Sequence, residues 1–285
     1  MNVYANQNGL IIREDKAVVS INNRGFRYGD GFFETMKFMN NQIVLSDYHF
    51  ERLFHSLKVL QFDVPSNFTA SYFTDQIKAL VQKNGHSKLA RIRLTIYRSE
   101  GGLYDPKNHV PNYTIQTWAL NAANNQLNEN GLVIDFFEDA QKSCDIYSSI
   151  KSSNYLPYAM AALWAKNQHL NDALVLNTHH RIADATIANI FIVKDNSIFT
   201  PALSEGCVNG VMRKHIIHYL HSNQQNIQET SISKQDVLEA DEVFLTNGIY
   251  GIRWVQNCGN KKYHQLVIRQ IYKQAISPLF TKNNH

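Results

Sequence analysis

The chain has 285 residues, 44% hydrophobic and 18% charged, a composition that excludes a largely disordered or fibrous protein and provides for one large or two medium domains. Twenty-eight Lys and Arg against 24 Asp and Glu leave a net charge of +4 spread along the chain, so no nucleic-acid groove and no membrane-surface patch is expected. No apolar run approaches transmembrane length, no basic-then-apolar leader opens the chain, and Cys144, Cys207 and Cys258 lack metal-site spacing; a reduced, cytoplasmic setting is the expectation.

Residues 9–12 and 17–21 read as two short strands around a charged turn. Gly25, Gly29 and Gly31 then mark a tight irregular turn ahead of a strand over 32–38. On that strand Phe33, Thr35 and Lys37 share one face and Phe32, Glu34 and Met36 the other. It either lines a pocket or is an aromatic core strand with an edge glutamate. Residues 43–45 are a further strand. Ser46 or Asp47 caps a helix whose apolar face is Phe50, Leu53, Phe54 and Leu57, with His49 and Arg52 on the flank beside it. Read alone, Arg52 is a surface arginine whose stem covers apolar surface.

A second helix over 73–84 closes at Gly85, and residues 88–98 alternate as a strand with Arg91, Arg93, Thr95 and Tyr97 on one face. Arg98 stands at the mouth of the loop ending at Tyr104, where its fork suits a carboxylate, although exposed loop arginines are common. The Asn-rich stretch 121–131 is the most polar in the chain. It separates an expected smaller N-terminal domain, 1–120, from a larger C-terminal domain, 132–285.

Lys151 lies between the β-leaning residues 145–147 and an Ala-, Leu- and Met-rich helix over 157–166, with Ser152, Ser153 and Asn154 as N-cap types. Ahead of a helix start the ammonium form is disfavoured and more free amine is available to attack a carbonyl; the plain alternative is a solvated loop lysine. Further on come a strand over 172–177 and the turn His179-His180-Arg181, which lacks a third metal ligand, so no metal site is expected. Asp184 is either a cap or a buried carboxylate with a partner. The loop 201–213 opens through Gly210 into a helix, a start that suits an anion, although the spacing is not that of a P-loop. A strand into the small-residue loop at Asn247 and Gly248, and an amphipathic helix over 266–276, complete the pattern.

Five of these stretches, in this order, resemble class IV aminotransferases, the fold-type-IV pyridoxal-phosphate enzymes that include branched-chain and D-amino-acid aminotransferases and aminodeoxychorismate lyase. They are Tyr28-Gly29-Asp30-Gly31-Phe32-Phe33-Glu34, His49-x-x-Arg52-Leu53, Lys151-x-x-Asn154-Tyr155-Leu156, Asp184 through Asn189-Ile190-Phe191, and Val208-Asn209-Gly210-Val211-Met212-Arg213. The resemblance implies a two-domain α/β fold with mixed sheets and the cofactor in the interdomain cleft, in a homodimer. It makes Lys151 the covalent cofactor anchor and proton carrier, Arg52 the phosphate grip and Val211 and Met212 the source of phosphate-binding N–H groups. Asp184 becomes the partner of the ring nitrogen, and Asn189, Asn247 and Gly248 further cofactor contacts. Phe33, Arg98 and Tyr104 fall to the substrate, the loop carrying Tyr104 being the candidate to reach a partner's pocket.

Three departures bear on specificity. Asp184 stands where the family usually has glutamate, Gly248 where transaminases often have a threonine, and Phe33 where the D-amino-acid enzymes have tyrosine. The expected activity is transamination of an amino acid, branched-chain-like. The alternative is 4-amino-4-deoxychorismate lyase, releasing 4-aminobenzoate and pyruvate, which residues 208–213 and 98–104 resemble more. A protein that binds pyridoxal phosphate without turnover is the third reading.

Overall fold

The computed structural model describes residues 3–104 and 107–281. It divides into two compact units: the first runs to Ala122 and takes in Ile150–Asn154, and the second comprises Ala123–Ser149 and the chain from Tyr155 onward.

The first unit is built on a six-stranded antiparallel sheet. Its strands are β1 (Tyr4–Gln7), β2 (Leu10–Arg13), β3 (Gly31–Met39), β4 (Gln42–Ile43), β5 (Leu89–Arg98) and β6 (Pro111–Ala119), in the order β2-β1-β6-β5-β3-β4. Phe32, Met36 and Phe38 of β3 pack with Leu53 and Leu57 of α2 (Ser46–Val59) and with Phe73, Ile77 and Leu80 of α3 (Ala70–Lys83). Strand period on one side and helical period on the other thus define one apolar core. The tight turn before β3 holds a five-residue helix, α1 (Arg24–Tyr28), because the Asn23 side chain accepts from Phe26 N and caps it. Gly29 ends that helix at φ 65°, and a Cβ there would overlap Asn154 Oδ1. The strand expected over 17–21 is absent; a 3-10 turn at Glu14–Lys16 and irregular backbone take its place.

The second unit carries a nine-stranded mixed sheet. Its strands are β7 (Leu132–Lys142), β8 (Asp172–Asn177), β9 (Ile182–Ala185), β10 (Asn189–Lys194), β11 (Ser197–Pro201), β12 (Ile227–Thr230), β13 (Glu242–Asn247), β14 (Gly251–Cys258) and β15 (Lys261–Lys262). The order is β12-β11-β10-β13-β14-β7-β8-β9, with β15 on β14 and β9 curling back to touch β10. Pairs β11/β12, β14/β7 and β7/β8 are parallel. Ile134, Leu174, Leu176, Ile190, Ile192, Leu245 and Val255 fill the inside of the curl. On the other face Ala173 and Val175 pack with Tyr158, Ala161 and Ala165 of α4 (Leu156–Asn167).

Helices α5 (Val211–Ser222) and α6 (Lys234–Glu239) follow, and the expected C-terminal helix is α7 (Leu266–Ile271), a π turn (Tyr272–Ile276) and α8 (Ser277–Thr281). The Asn-rich stretch is pinned: Asn125 O accepts from Tyr272 Oη, and Asn128 exchanges bonds with the Trp254 backbone.

Candidate active site

Glu34 sits on the β3 face that belongs to the apolar core and is 1% exposed, so it is no edge residue. A buried carboxylate there needs compensating donors, and α2 supplies them one turn apart. Arg52 Nε donates to Oε1 at 2.7 Å, Arg52 Nη2 to Oε2 at 2.6 Å, and His49 Nδ1 lies 2.6 Å from Oε2. Burial alone would raise the Glu34 pKa, but the Arg52 charge and the bonds from Arg52 and His49 outweigh it and hold it at about 2. Burial pulls the His49 pKa down, against the attraction of Glu34. His49 Nε2 is buried with no hydrogen-bond partner among the described residues. Arg52 is therefore a half of a buried ion pair, where sequence alone read a surface arginine.

Lys151 belongs to a segment that adds a short rung to the start of β3. Phe33 N donates to Lys151 O at 3.0 Å, Ser153 N to Gly31 O at 2.9 Å, and Phe32 and Ser152 form an antiparallel bridge. Ile150, buried in the first unit's core, anchors the other side. The Lys151 Nζ lies 4.8 Å from the centre of the Phe33 ring, and the Arg93 guanidinium stacks on that same ring at 3.7 Å. Ser152, Ser153 and Asn154 do not cap α4, as expected from their types. Ser153 is spent on β3, Asn154 packs on Gly29, and the N-cap is Tyr155 without a side-chain cap bond.

In the second unit Asp184 is a buried carboxylate with partners. Oδ2 accepts from Tyr158 Oη at 2.8 Å and Val208 N at 2.8 Å, with Lys142 Nζ at 3.5 Å, and Oδ1 accepts from Asn189 Nδ2 at 2.8 Å. Burial and the neighbouring Asp184 charge raise the Tyr158 pKa well above its ordinary value, so the phenol stays a donor. Asn189 Nδ2 also donates to Val208 O at 2.7 Å, tying the carboxylate to the segment that opens α5. That helix starts at Gly210 with no side-chain cap, and Val211 and Met212 are buried in its first turn. Uncapped N–H groups at a helix start favour an anion. A side chain at position 210 would overlap Asn189 Oδ1, so glycine is what allows the loop to close on Asn189.

Thr246 pairs with Asn189 across β10 and β13, and its hydroxyl is buried without a hydrogen-bond partner among the described residues. Asn247, one residue on, points to the other sheet face, and its Oδ1 accepts from Ile249 N and Tyr250 N. Its side chain closes a turn, and Gly248 follows it in that turn.

Arg98 is buried, contrary to the exposed loop position expected for a carboxylate grip. Its guanidinium donates to Asp30, Gln61 O and Leu60 O and contacts His109. Tyr104 is 86% exposed, with its ring 5.9 Å from that of Tyr28. Sequence reasoning missed Glu34 as the acceptor for Arg52, and Tyr158 and Lys142 as partners of Asp184. A charge on the apolar face of β3 was the available signal for the first.

The family model described as Amino-transferase class IV matches residues 31–258, which contain Lys151, Asp184 and the other residues named above except the turn before β3. An aminodeoxychorismate lyase of Vibrio harveyi is 30% identical over 236 residues, covering 82% of this chain and 85% of its own. A D-alanine aminotransferase of Listeria monocytogenes is 30% identical over 258 residues, covering 87% and 84%. The branched-chain aminotransferase of Thermoproteus uzoniensis, solved with norvaline, shares the fold at TM-score 0.89 and 22% identity, over 100% of this chain and 97% of its own. The chain belongs to the class IV aminotransferase family.

Proposed function

We propose that the chain is a pyridoxal 5'-phosphate enzyme that transfers the amino group of an amino acid, with Lys151 as its covalent anchor and proton carrier. The observation that carries the reading is the bond from Val208 N to Asp184 Oδ2. It fixes a buried acid to the segment that begins, three residues later, an uncapped helix start. An acid for a ring nitrogen and an N–H cluster for a phosphate are what a phosphorylated pyridine demands. The Thr246 hydroxyl and His49 Nε2, buried without a partner among the described residues, fit a polar group brought by a ligand.

Bound pyridoxal phosphate supplies an electron-accepting ring that takes up the electron pair left when a proton leaves the substrate Cα. The Lys151 Nζ removes that proton and returns it, held in reach because its backbone is bonded to β3. Among the residues that would hold the phosphate, Val211 and Met212 of the second unit offer N–H groups, and Arg52 of the first offers a guanidinium aimed by Glu34. Arg93 is the better candidate than Arg98 for a substrate carboxylate, since it shares the Phe33 ring with Lys151.

Aminodeoxychorismate lyase is the second reading, favoured by the 30% identical Vibrio relative and by glycine at position 248. The exposed apolar stripe Leu156, Met160 and Leu163 along α4 supports a homodimer, and three cysteines without a disulfide among the described residues fit a reducing, cytoplasmic setting. Sedimentation at several concentrations tests the dimer.

The activity test is direct. Pyridoxal phosphate added to purified protein should give a visible absorption that Lys151→Ala abolishes. Amino donors with branched-chain keto acids should then exchange the amino group. Release of 4-aminobenzoate and pyruvate from aminodeoxychorismate would assign the lyase instead, and no conversion with any donor would assign a binding protein without turnover. No cofactor absorption in the wild type would overturn the proposal.

A further inference from the structure

The second unit holds a cavity of about 220 Å³ that none of the Asp184 cluster lines. Its walls include Asp172, Arg253, Tyr250, Asn171, Asn247 and Leu245. Strand alternation separates it from Asp184. Asp172 shares the β8 face of Leu174 and Leu176, inside the curled sheet, whereas Asp184 pairs with Val175 on the α4 face. Leu245, on the cavity wall, is likewise one residue off Thr246.

Asp172 is 7% exposed, and only one of its oxygens is satisfied. Oδ1 accepts from Ala173 N at 2.8 Å, Thr186 N at 3.1 Å and Thr186 Oγ1 at 2.6 Å, while Oδ2 has no hydrogen-bond partner among the described residues. Burial raises its pKa, against those three bonds, which lower it. Arg253 stacks on the Tyr250 ring at 4.0 Å and makes no ion pair or hydrogen bond among the described residues. A carboxylate and a guanidinium thus face one cavity without neutralising each other. Such an arrangement leaves both ends available to a ligand carrying the opposite charges. The volume equals about seven waters at about 30 Å³ each, the size of a small amino acid.

We propose that this cavity is a second ligand site, binding a small zwitterion of amino-acid size with its ammonium on Asp172 and its carboxylate on Arg253. The site is separate from the Lys151 chemistry and does not rest on it. Asn171 and Asn247 amides border the cavity and supply further polar contacts, and Leu245 gives the ligand an apolar wall.

The probe is 2-aminoisobutyrate, which has no Cα proton and so is not transaminated, titrated calorimetrically into the cofactor-loaded protein. Arg253→Gln and Asp172→Asn should each weaken binding about tenfold or more, while Lys151→Ala retains it. Isobutyrate and isopropylamine, each with one of the two charges, should bind about tenfold more weakly than the amino acid. The visible absorption of the cofactor, read in the same samples, should be unchanged in both cavity variants, which separates this outcome from a failure at Lys151. The Arg253 side chain makes no ion pair or hydrogen bond among the described residues beyond its stacking on Tyr250, so Arg253→Gln keeps the test valid if Asp172→Asn misfolds. Equal binding by the wild type and Arg253→Gln, no binding by the wild type, or isobutyrate binding as tightly as the amino acid would each overturn the proposal.

Discussion

Glu34 and Arg52 meet through two parallel hydrogen bonds, Nε to Oε1 at 2.7 Å and Nη2 to Oε2 at 2.6 Å, on the β3 face that otherwise packs the apolar core. The pair has His49 as a third member and fixes α2 against β3 at one rotation. Its geometry matters more than its net energy, since two buried charges offset much of each other's desolvation.

Removing one partner is another matter. Glu34→Ala leaves Arg52 and His49 facing an empty acceptor, and breaking a buried pair in this way costs about 3–5 kcal/mol. Urea unfolding of the variant should show a correspondingly lower midpoint, and cofactor titration a weaker affinity because Arg52 is no longer aimed. Glu34→Gln keeps the shape and one acceptor oxygen, and should fall between the variant and the wild type in both measurements. Equal stability of all three proteins would show that the pair carries no structural weight.

The same cluster sets an acid limb on stability. The Glu34 pKa is about 2 in the folded chain against an ordinary 4.5, so its contribution is present above pH 4.5 and is lost as pH falls towards about 2. His49 is held below its ordinary 6.5 by burial, so the unfolded state binds its proton first and stability starts to fall below about that pH. Both groups act in the same direction. Urea midpoints followed downward from neutral pH should therefore decline in the wild type, and Glu34→Gln should flatten the part of the curve below pH 4.5.

Asp184→Asn tests the acid of the second unit. The amide preserves size and can still accept from Tyr158 or Val208 N, so folding and thermal stability should change little. The negative charge is lost, and turnover should drop by about 100-fold, the scale seen when a preorganised electrostatic group is removed from an active site. A variant with full turnover would show that Asp184 is only a packing carboxylate.

Much of this was readable from residue patterns, and what was not has a physical cause. Alternation found β5, β-prone runs found β3 and β8, and the apolar spacing of Phe50, Leu53 and Leu57 found α2, because those signals are local; the short strand β9 that carries Asp184 went unread. The partner of Arg52 lies 18 residues away and that of Asp184, Tyr158, 26 residues away, and no periodicity encodes such distances. Cap types misled at Ser152, Ser153 and Asn154 because backbone bonds of the two serines to β3 and the packing of Asn154 on Gly29 hold this segment as a rung of the first unit's sheet, and the N-cap position falls to Tyr155. Arg98 misled for a similar reason. Its guanidinium is drawn inward by Asp30 and the carbonyls of Leu60 and Gln61, contacts that the loop sequence after it does not announce.

Gly210→Ala puts a methyl group where Asn189 Oδ1 lies, so either the amide or the α5 start must move. Asn189 holds both Asp184 Oδ1 and Val208 O, so the shift would disturb the acid and the helix start together. Cofactor affinity should fall by about tenfold or more while the far-ultraviolet circular dichroism stays unchanged. Retained affinity would mean that the loop relaxes without consequence.

Thr246→Val separates a cofactor contact from a structural one. The substitution is nearly isosteric and removes a buried hydroxyl that has no hydrogen-bond partner among the described residues. In the apo protein an unsatisfied buried hydroxyl costs about 1–3 kcal/mol, so valine should leave stability equal or raise it. With pyridoxal phosphate bound the sign should reverse if Thr246, opposite Asn189 in the β10/β13 pair, is among the residues that would hold its phosphate. Thermal melts with and without cofactor read both halves: the variant should melt at or above the wild type when apo and gain less from cofactor when loaded. An equal gain in the two proteins would remove Thr246 from the phosphate site and leave that contact to Arg52 and the N–H groups of Val211 and Met212.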